Sequence, residues 1–300
     1  MISKLWRAMK QQHRLRMGPA MLNLQFTRTP PLRPPPARPA ARVAGAAVLP
    51  EGGALPEGSE QPQGEPPRRE CALLLGVGPG LGEALASMLG SSGFAMGLVA
   101  RDGVRLEAFA ARIRAQGAVC KSYSSDVTHE GSVDAMFKTF EHDFGCPDLV
   151  VYGLQRFGPG KTADIEVPAF EEGWRHNCFG AFLAARRATQ LMAARGHGTL
   201  LLIGSTSAVL GREDHLNLAV GKFGQRALAQ VLSREVWPLG VHVVHVIIDA
   251  DIREGEPEPF PQAEPSDVAQ TLLFLHRQPR SAWTSEIDLR PWNERFWQHC

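Results

Sequence analysis

The sequence predicts an α/β protein: a doubly wound parallel sheet in three layers, α/β/α, behind a disordered N-terminal extension. Three observations carry this. From Cys71 onward, apolar runs of strand length alternate with longer segments of helical periodicity. The strand-like runs are apolar on both faces, which is the pattern of a parallel sheet covered on both sides. The first of them also runs straight into a glycine-rich turn, Leu75-Gly76-Val77-Gly78-Pro79-Gly80-Leu81-Gly82.

The extension comes first. Residues 1–50 hold nine Lys and Arg and no Asp or Glu; the first acidic residue is Glu51. Ile2, Leu5, Trp6 and Met9 fall at helical spacing, with Lys4, Arg7 and Lys10 between them. A basic, acid-free, amphipathic start fits an organelle transit peptide, which would imply a mitochondrial or other organelle matrix location. Scarce serine leaves open a plain unstructured tail and a cytoplasmic protein. Residues 28–69 are rich in Pro, Gly, Ala and Glu, and prolines such as Pro34, Pro35 and Pro36 exclude helix and central strand. This places a disordered extension over 1–69 and one folded domain over 70–300.

Within the domain the pattern predicts strands at Cys71–Leu75, Ala95–Ala100, Ala118–Tyr123, Asp148–Tyr152, Thr199–Ile203, Val241–Ile248 and Glu286–Leu289. It predicts helices at Gly80–Leu89, Val104–Ala115, Gly131–Phe144, Phe170–Ala194 (one long helix), Asn217–Val236 and Asp267–His276. Right-handed crossovers wind such a chain in both directions from its first strand, and ligands then bind at the carboxyl ends of the strands.

The glycine turn is the first candidate site. Gly76, Gly80 and Gly82 are spaced G-x-x-x-G-x-G, and Gly78 and Leu81 lie between them. Glycine allows the tight turn, and the following helix points its positive end at whatever the turn holds, as a pyrophosphate-binding loop does. The second strand ends Val99-Ala100-Arg101-Asp102. No carboxylate ends that strand to take ribose hydroxyls, and the Arg101 guanidinium suits a 2′-phosphate, so the expected cofactor is NADP, with NAD less favoured. Asp126, followed by Val127, ends the third strand and is placed to bond an adenine amino group.

On these residues the chain resembles the short-chain dehydrogenase/reductase family over about 230 residues. That family has the Rossmann fold. Gly76, Gly80 and Gly82 match its cofactor loop and Asp126-Val127 its adenine contact. Asn177 sits where the family has a catalytic asparagine and Ser205 where it has a catalytic serine. Lys222 follows Ser205 by 17 residues, the family's serine-to-lysine distance. The resemblance implies that Ser205, Asn177 and Lys222 are catalytic and that Lys222 also binds the nicotinamide ribose. The tyrosine that precedes the lysine by four residues is Leu218 here, and the only tyrosines are Tyr123 and Tyr152. The loop G-x-G-P-G-x-G and the run Gly240–Asp249 look like a divergent branch in which an apolar residue often replaces that tyrosine. His215 and Tyr152 are the candidate substitute acids, although each has an ordinary structural explanation as a helix cap or a packed strand residue.

Composition narrows the rest. With 32 basic and 31 acidic residues, nothing global points to nucleic acid. No run of 18 apolar residues exists, so no membrane span is expected. Five scattered cysteines without a C-x-x-C pair read as free thiols, with no metal site. The expected function is therefore an NADP-dependent oxidoreductase for a small carbonyl or alcohol, with weakened acid–base chemistry. The alternatives are a non-catalytic NADP(H)-binding sensor or regulatory protein, and a scaffold using only the fold. The family's usual dimer face lies on Phe170–Ala194 and Asn217–Val236, which implies a homodimer or homotetramer.

Overall fold

A computed structural model of the chain describes residues 68–253 and 261–295. The expected extension over 1–69, with its transit peptide, lies outside them up to residue 67; Arg68 and Arg69 belong to the described part. The strands are β1 (Cys71–Leu75), β2 (Ala95–Ala100), β3 (Val119–Ser124), β4 (Leu149–Tyr152), β5 (Gly198–Ile203), β6 (Val241–Ile248), β7 (Asp251–Ile252), β8 (Gln262–Ala263) and β9 (Glu286–Leu289). The helices are α1 (Leu81–Ser91), α2 (Gly103–Ala115), α3 (Glu130–Phe144), α4 (Val167–Trp174), α5 (Gly180–Arg195), α6 (Leu216–Val236) and α7 (Pro265–Arg277).

Seven strands form one parallel sheet in the order β3-β2-β1-β4-β5-β6-β9. The winding direction reverses between β1 and β4, which opens a crevice at their carboxyl ends. The five strands from β2 to β6 in that order are buried almost end to end, as their continuous apolar runs require. Phe137 and Phe140 of α3, Leu183 and Ala188 of α5 and Leu232 of α6 pack on one face. Leu85 and Leu89 of α1, Phe109 and Ile113 of α2 and Leu272 and Leu275 of α7 pack on the other. This is the doubly wound Rossmann architecture expected from the sequence.

Two features differ from expectation. The helix expected as one piece over Phe170–Ala194 starts earlier and is interrupted: α4 and α5 are joined by a π turn, Arg175–Phe179. A π turn carries one residue more than an α-helical turn and disturbs the regular i→i−4 ladder. The Tyr152 hydroxyl donates a hydrogen bond to the His176 carbonyl within this turn. The second feature is a two-stranded parallel pair, β7 with β8, which follows β6 and lies outside the main sheet.

At the opposite, amino-terminal edge, one carboxylate ties three strands together. Asp148, 5% exposed in its side chain, accepts from the Cys71 N–H at 2.8 Å and from Arg68 at 2.5 and 2.7 Å, and Arg195 lies 3.1 Å away. Its backbone bonds Cys71 O and the Thr199 N–H, each at 2.8 Å, so β1, β4 and β5 are joined at their starts. Replacing Asp148 with Ala leaves an N–H and a half-buried guanidinium without an acceptor. The expected loss is about 3 kcal/mol, the lower end for a broken buried pair because Arg68 regains water. A drop in the urea midpoint at unchanged m measures it; an unchanged midpoint would mean that water replaces the clamp at no cost.

Candidate active site

The site is built at the carboxyl ends of β1, β4, β5 and β6. Directly after β1 the chain turns through Gly76 at φ +91° and Gly80 at φ +81°, backbone conformations that side chains oppose. Gly76 stays attached to the sheet by donating to Val99 O at 3.0 Å. Helix α1 has no side-chain cap, and the N–H groups of Gly78, Gly80, Leu81 and Gly82 have no hydrogen-bond partner among the described residues. They form a positive, donor-rich end of the kind that holds phosphate. A Cβ on Gly82 would stand 3.0 Å from Val77 Cα, so glycine there lets loop and helix close on each other, whereas Gly78 faces open space.

A cavity of about 370 Å³ adjoins this loop. Its walls include Gly76, Val77, Gly78, Pro79, Leu81 and Gly82 of the loop and helix start, Gly153 and Gln155 after β4, Ser205 after β5, and Asp251 and Ile252 of β7. The Ser205 Oγ is buried and has no hydrogen-bond partner. Arg101, at the end of β2, is exposed; the next residue, Asp102, caps α2 by accepting from the Arg105 N–H at 3.1 Å. Asp126 follows β3 and its Oδ1 already accepts from the Thr128 N–H at 2.9 Å and hydroxyl at 2.7 Å. Partial burial alone would raise its pKa, but the Thr128 donors and the nearby His129 and Arg101 bring it below the ordinary value. Val127 is fully packed beside it.

Lys222, on α6, is 1% exposed. Its Nζ donates to Ile203 O at 2.7 Å, Gln225 Oε1 at 3.2 Å and Leu154 O at 3.3 Å. Burial pushes its pKa down to about 7. Leu218 sits one turn earlier on the same helix, packed at 5% exposure. Asn177 lies in the π turn, fully buried, and its carboxamide clamps the Arg156 backbone: Oδ1 accepts from Arg156 N at 2.9 Å and Nδ2 donates to Arg156 O at 2.7 Å. It thereby fixes the loop after β4 that leads into the cavity wall.

Residues 70–250 match the family profile described as short chain dehydrogenase, which covers more than half of the chain. The chain belongs to the short-chain dehydrogenase family. An uncharacterized oxidoreductase of Staphylococcus aureus (strain USA300) is 27% identical over 224 residues, spanning 73% of this chain and 96% of that protein. A crystal structure of a short-chain dehydrogenase from Rhodopseudomonas palustris superposes with a TM-score of 0.66 at 28% identity, covering 75% of this chain and all of that one. An alcohol dehydrogenase from the archaeon Thermococcus sibiricus, complexed with 5-hydroxy-NADP, superposes with a TM-score of 0.69 at 23% identity, covering 76% of this chain and 98% of that one; it shares the fold.

Within this short-chain dehydrogenase, neither candidate substitute acid lines the cavity. Tyr152 is fully buried on the α3/α5/α6 face, its hydroxyl spent on the His176 carbonyl, and burial raises its pKa. His215 stands at the N-terminus of α6, donates Nδ1–H to Glu213 O at 2.7 Å and packs its ring 4.8 Å from that of Phe157. Gln155, in the segment that follows the fourth strand, and Asp251 and Ile252, from the stretch after β6 that the sequence reading places over the substrate pocket, line the cavity; Arg156, the clamp's partner, is the residue that sequence patterns did not single out.

The depressed Lys222 pKa makes a stability prediction. The folded chain holds this proton less tightly than the unfolded chain, where lysine titrates at its ordinary 10.5. Between about pH 7 and 10.5 the unfolded state therefore binds more protons, and the Lys222 contribution to stability rises with pH. Below 7 it is constant. The unfolding free energy of the wild type minus that of Lys222→Met is expected to climb across this window. A difference that stays flat there would show that Lys222 keeps the proton affinity of an exposed lysine.

Proposed function

We propose that this chain is an NADP(H)-dependent oxidoreductase acting on a small carbonyl or alcohol, with weakened proton transfer because Leu218 stands in place of an acid. The observation that carries it is Ser205, which lines the cavity beside the glycine loop and whose buried hydroxyl has no hydrogen-bond partner among the described residues. A native buried hydroxyl without a partner awaits one.

The residues present fit a dinucleotide. The free N–H groups from Gly78 to Gly82 hold its pyrophosphate, and Arg101, exposed at the end of β2, pairs with a 2′-phosphate. Asp126 and the Val127 backbone would meet the adenine of the bound dinucleotide. The bound cofactor supplies or takes the hydride. Ser205 orients the substrate oxygen and stabilises its growing negative charge. Asn177 positions the loop that carries Gln155, and Lys222 supports the end of β5 through the Ile203 carbonyl. Leucine has no proton to give, so the alkoxide takes its proton from water. Two solved relatives by fold, the Thermococcus sibiricus enzyme and a metagenomic short-chain oxidoreductase, were determined with 5-hydroxy-NADP and NADP respectively, which agrees with this choice of cofactor.

A second reading has its own support. With Leu218 packed and Lys222 enclosed by three acceptors, the chain also fits a protein that holds NADP(H) without turning it over. Under either reading the apolar side chains exposed on α5 and α6, Phe182, Val220, Phe223 and Val231, serve as a face for a second copy.

Titration with NADPH and NADH, followed by energy transfer from tryptophan to nicotinamide, tests binding. NADPH is expected to bind more tightly, and Arg101→Ala to weaken it about tenfold, a typical charge-assisted contact, while leaving NADH unchanged. Equal loss for both nucleotides would remove the NADP assignment. Restoring an acid with Leu218→Tyr is expected to raise carbonyl reduction about a hundredfold, the lower range of general acid catalysis. Turnover that Ser205→Ala leaves intact would remove Ser205 from the reaction, and a wild type that binds NADPH without any carbonyl turnover would remove the enzyme reading and keep the binding one.

A further inference from the structure

Beneath the end of β5 lies a buried polar cluster that the reaction described above does not use. His245, on β6, is 1% exposed. Its Nδ1 is 2.9 Å from Glu286 Oε2, and because a carboxylate only accepts, Nδ1 carries the proton in this contact. Glu286, on β9, is gripped by Arg226 of α6 through two bonds of 2.7 Å. The other ring nitrogen, Nε2, is buried with no hydrogen-bond partner. It lies directly under the site: a Cβ placed on Gly204, between Ile203 and Ser205, would come within 2.4 Å of it.

On the neighbouring helix a second orphan has the opposite character. Gln225 is fully buried; its Oε1 accepts from Lys222 Nζ, while its Nε2 has no partner. Neutral His245 thus offers an unused acceptor and Gln225 an unused donor. Lys222 reaches the sheet at the Ile203 carbonyl with Gln225 Oε1 on its Nζ, His245 sits under the adjacent Gly204, and the Lys222 charge acts on the His245 ring. Arg226, the next residue after Gln225, is joined to His245 through Glu286. Two complementary buried polar atoms left without partners mark a place for a bridging water.

We propose that His245 is a positioning residue for Lys222: with Gln225 it holds a water, and through that water it exchanges the proton that Lys222 gains or loses. The step balances within the cluster. The Lys222 N–H held by Leu154 O, its longest contact at 3.3 Å, turns to the water; that N–H bond breaks and an O–H bond forms on the water, while another O–H bond of the water breaks and an Nε2–H bond forms on His245. The lysine becomes an amine and the imidazole an imidazolium, stabilised by Glu286. Glu286 is 29% exposed in its side chain and passes the charge change to solvent. The groups that face His245 are Glu286 from β9 and Lys222 and Arg226 from α6; β5 presents no titratable group to it. Burial and the two cations lower the His245 pKa, and Glu286 opposes them.

The assignment of Lys222 to the cofactor ribose rests on the proposed function, but the coupling between Lys222 and His245 does not, so it is tested on the protein without nucleotide. Following the imidazole signals of His245 by NMR across pH 5 to 9 gives its titration midpoint. Lys222→Met is expected to raise that midpoint by about one pH unit, a tenfold gain in proton affinity from losing one like charge. Glu286→Gln is expected to lower it by a similar amount. Gln225→Leu, which removes the water's anchor and no charge, is expected to slow the exchange of His245 between its neutral and Nε2-protonated forms, read as broadening of its imidazole signals near the midpoint, while the fold is kept. An unchanged midpoint in Lys222→Met, or unchanged exchange in a folded Gln225→Leu, would overturn the proposal. A parallel NADPH titration keeps the two readings apart: coupling without nucleotide binding would sink the proposed function and leave this one standing.

Discussion

A parallel sheet buried on both faces leaves only its strand ends for chemistry, and the arrangement of this site follows from that constraint. The helices on either side are needed to satisfy the apolar surface, so no face is free to bind anything. Reversal of the winding between β1 and β4 then decides which strand ends stand apart. The glycine loop follows β1 there, Gly153 to Gln155 follow β4, and Ser205 follows β5. Three consecutive residues at the end of β5 face three different demands: the Ile203 carbonyl holds Lys222, Gly204 makes room for His245, and Ser205 lines the cavity. A shift of this strand end would disturb all three at once.

Opposing forces act on Lys222. Removing an ammonium from water is costly, and here the charge has no carboxylate against it. Two backbone carbonyls and the Gln225 oxygen offset part of that cost, while burial still lowers the affinity for the proton. The lysine is therefore held by neutral acceptors and remains able to lose its proton near neutral pH. A carboxylate partner would have made it a fixed cation instead.

The fold was legible because its signals are local. Continuous apolar runs mark β1, β2, β4, β5 and β6, and a glycine loop directly after β1 marks the crevice. The π turn was not legible. Arg175–Phe179 has the same helical periodicity as its flanks, and what holds the turn is the Tyr152 hydroxyl, 24 residues away. Tyr152 illustrates the limit of reading a tyrosine at a strand end as a candidate acid. Its side chain points to the face opposite the cavity, a direction set by the strand's alternation and visible only once the register is known. The β7–β8 pair has two residues per strand, too short for any period. The His245–Glu286 contact joins residues 41 apart whose types, singly, are unremarkable on a strand.

The two halves of the site rest on different kinds of atoms, and this bears on what a chain with Leu218 can do. The phosphate cradle is made of backbone N–H groups, and its requirements are glycine conformations and an uncapped helix start. Those survive most side-chain changes elsewhere. Proton transfer depends on one side chain in one position, a turn before Lys222, and a single replacement removes it. Such a chain loses acid–base chemistry before it loses a place for the dinucleotide. The surrounding residues bear this order out: Leu218 is packed as a core residue, the Asn177 carboxamide is committed to the Arg156 backbone, and Lys222 is closed in by acceptors, while the cradle N–H groups and Ser205 remain unpaired. At the site itself, the loop N–H groups and the Ser205 hydroxyl have no partner among the described residues, whereas Asn177 and the Lys222 ammonium are already held by theirs.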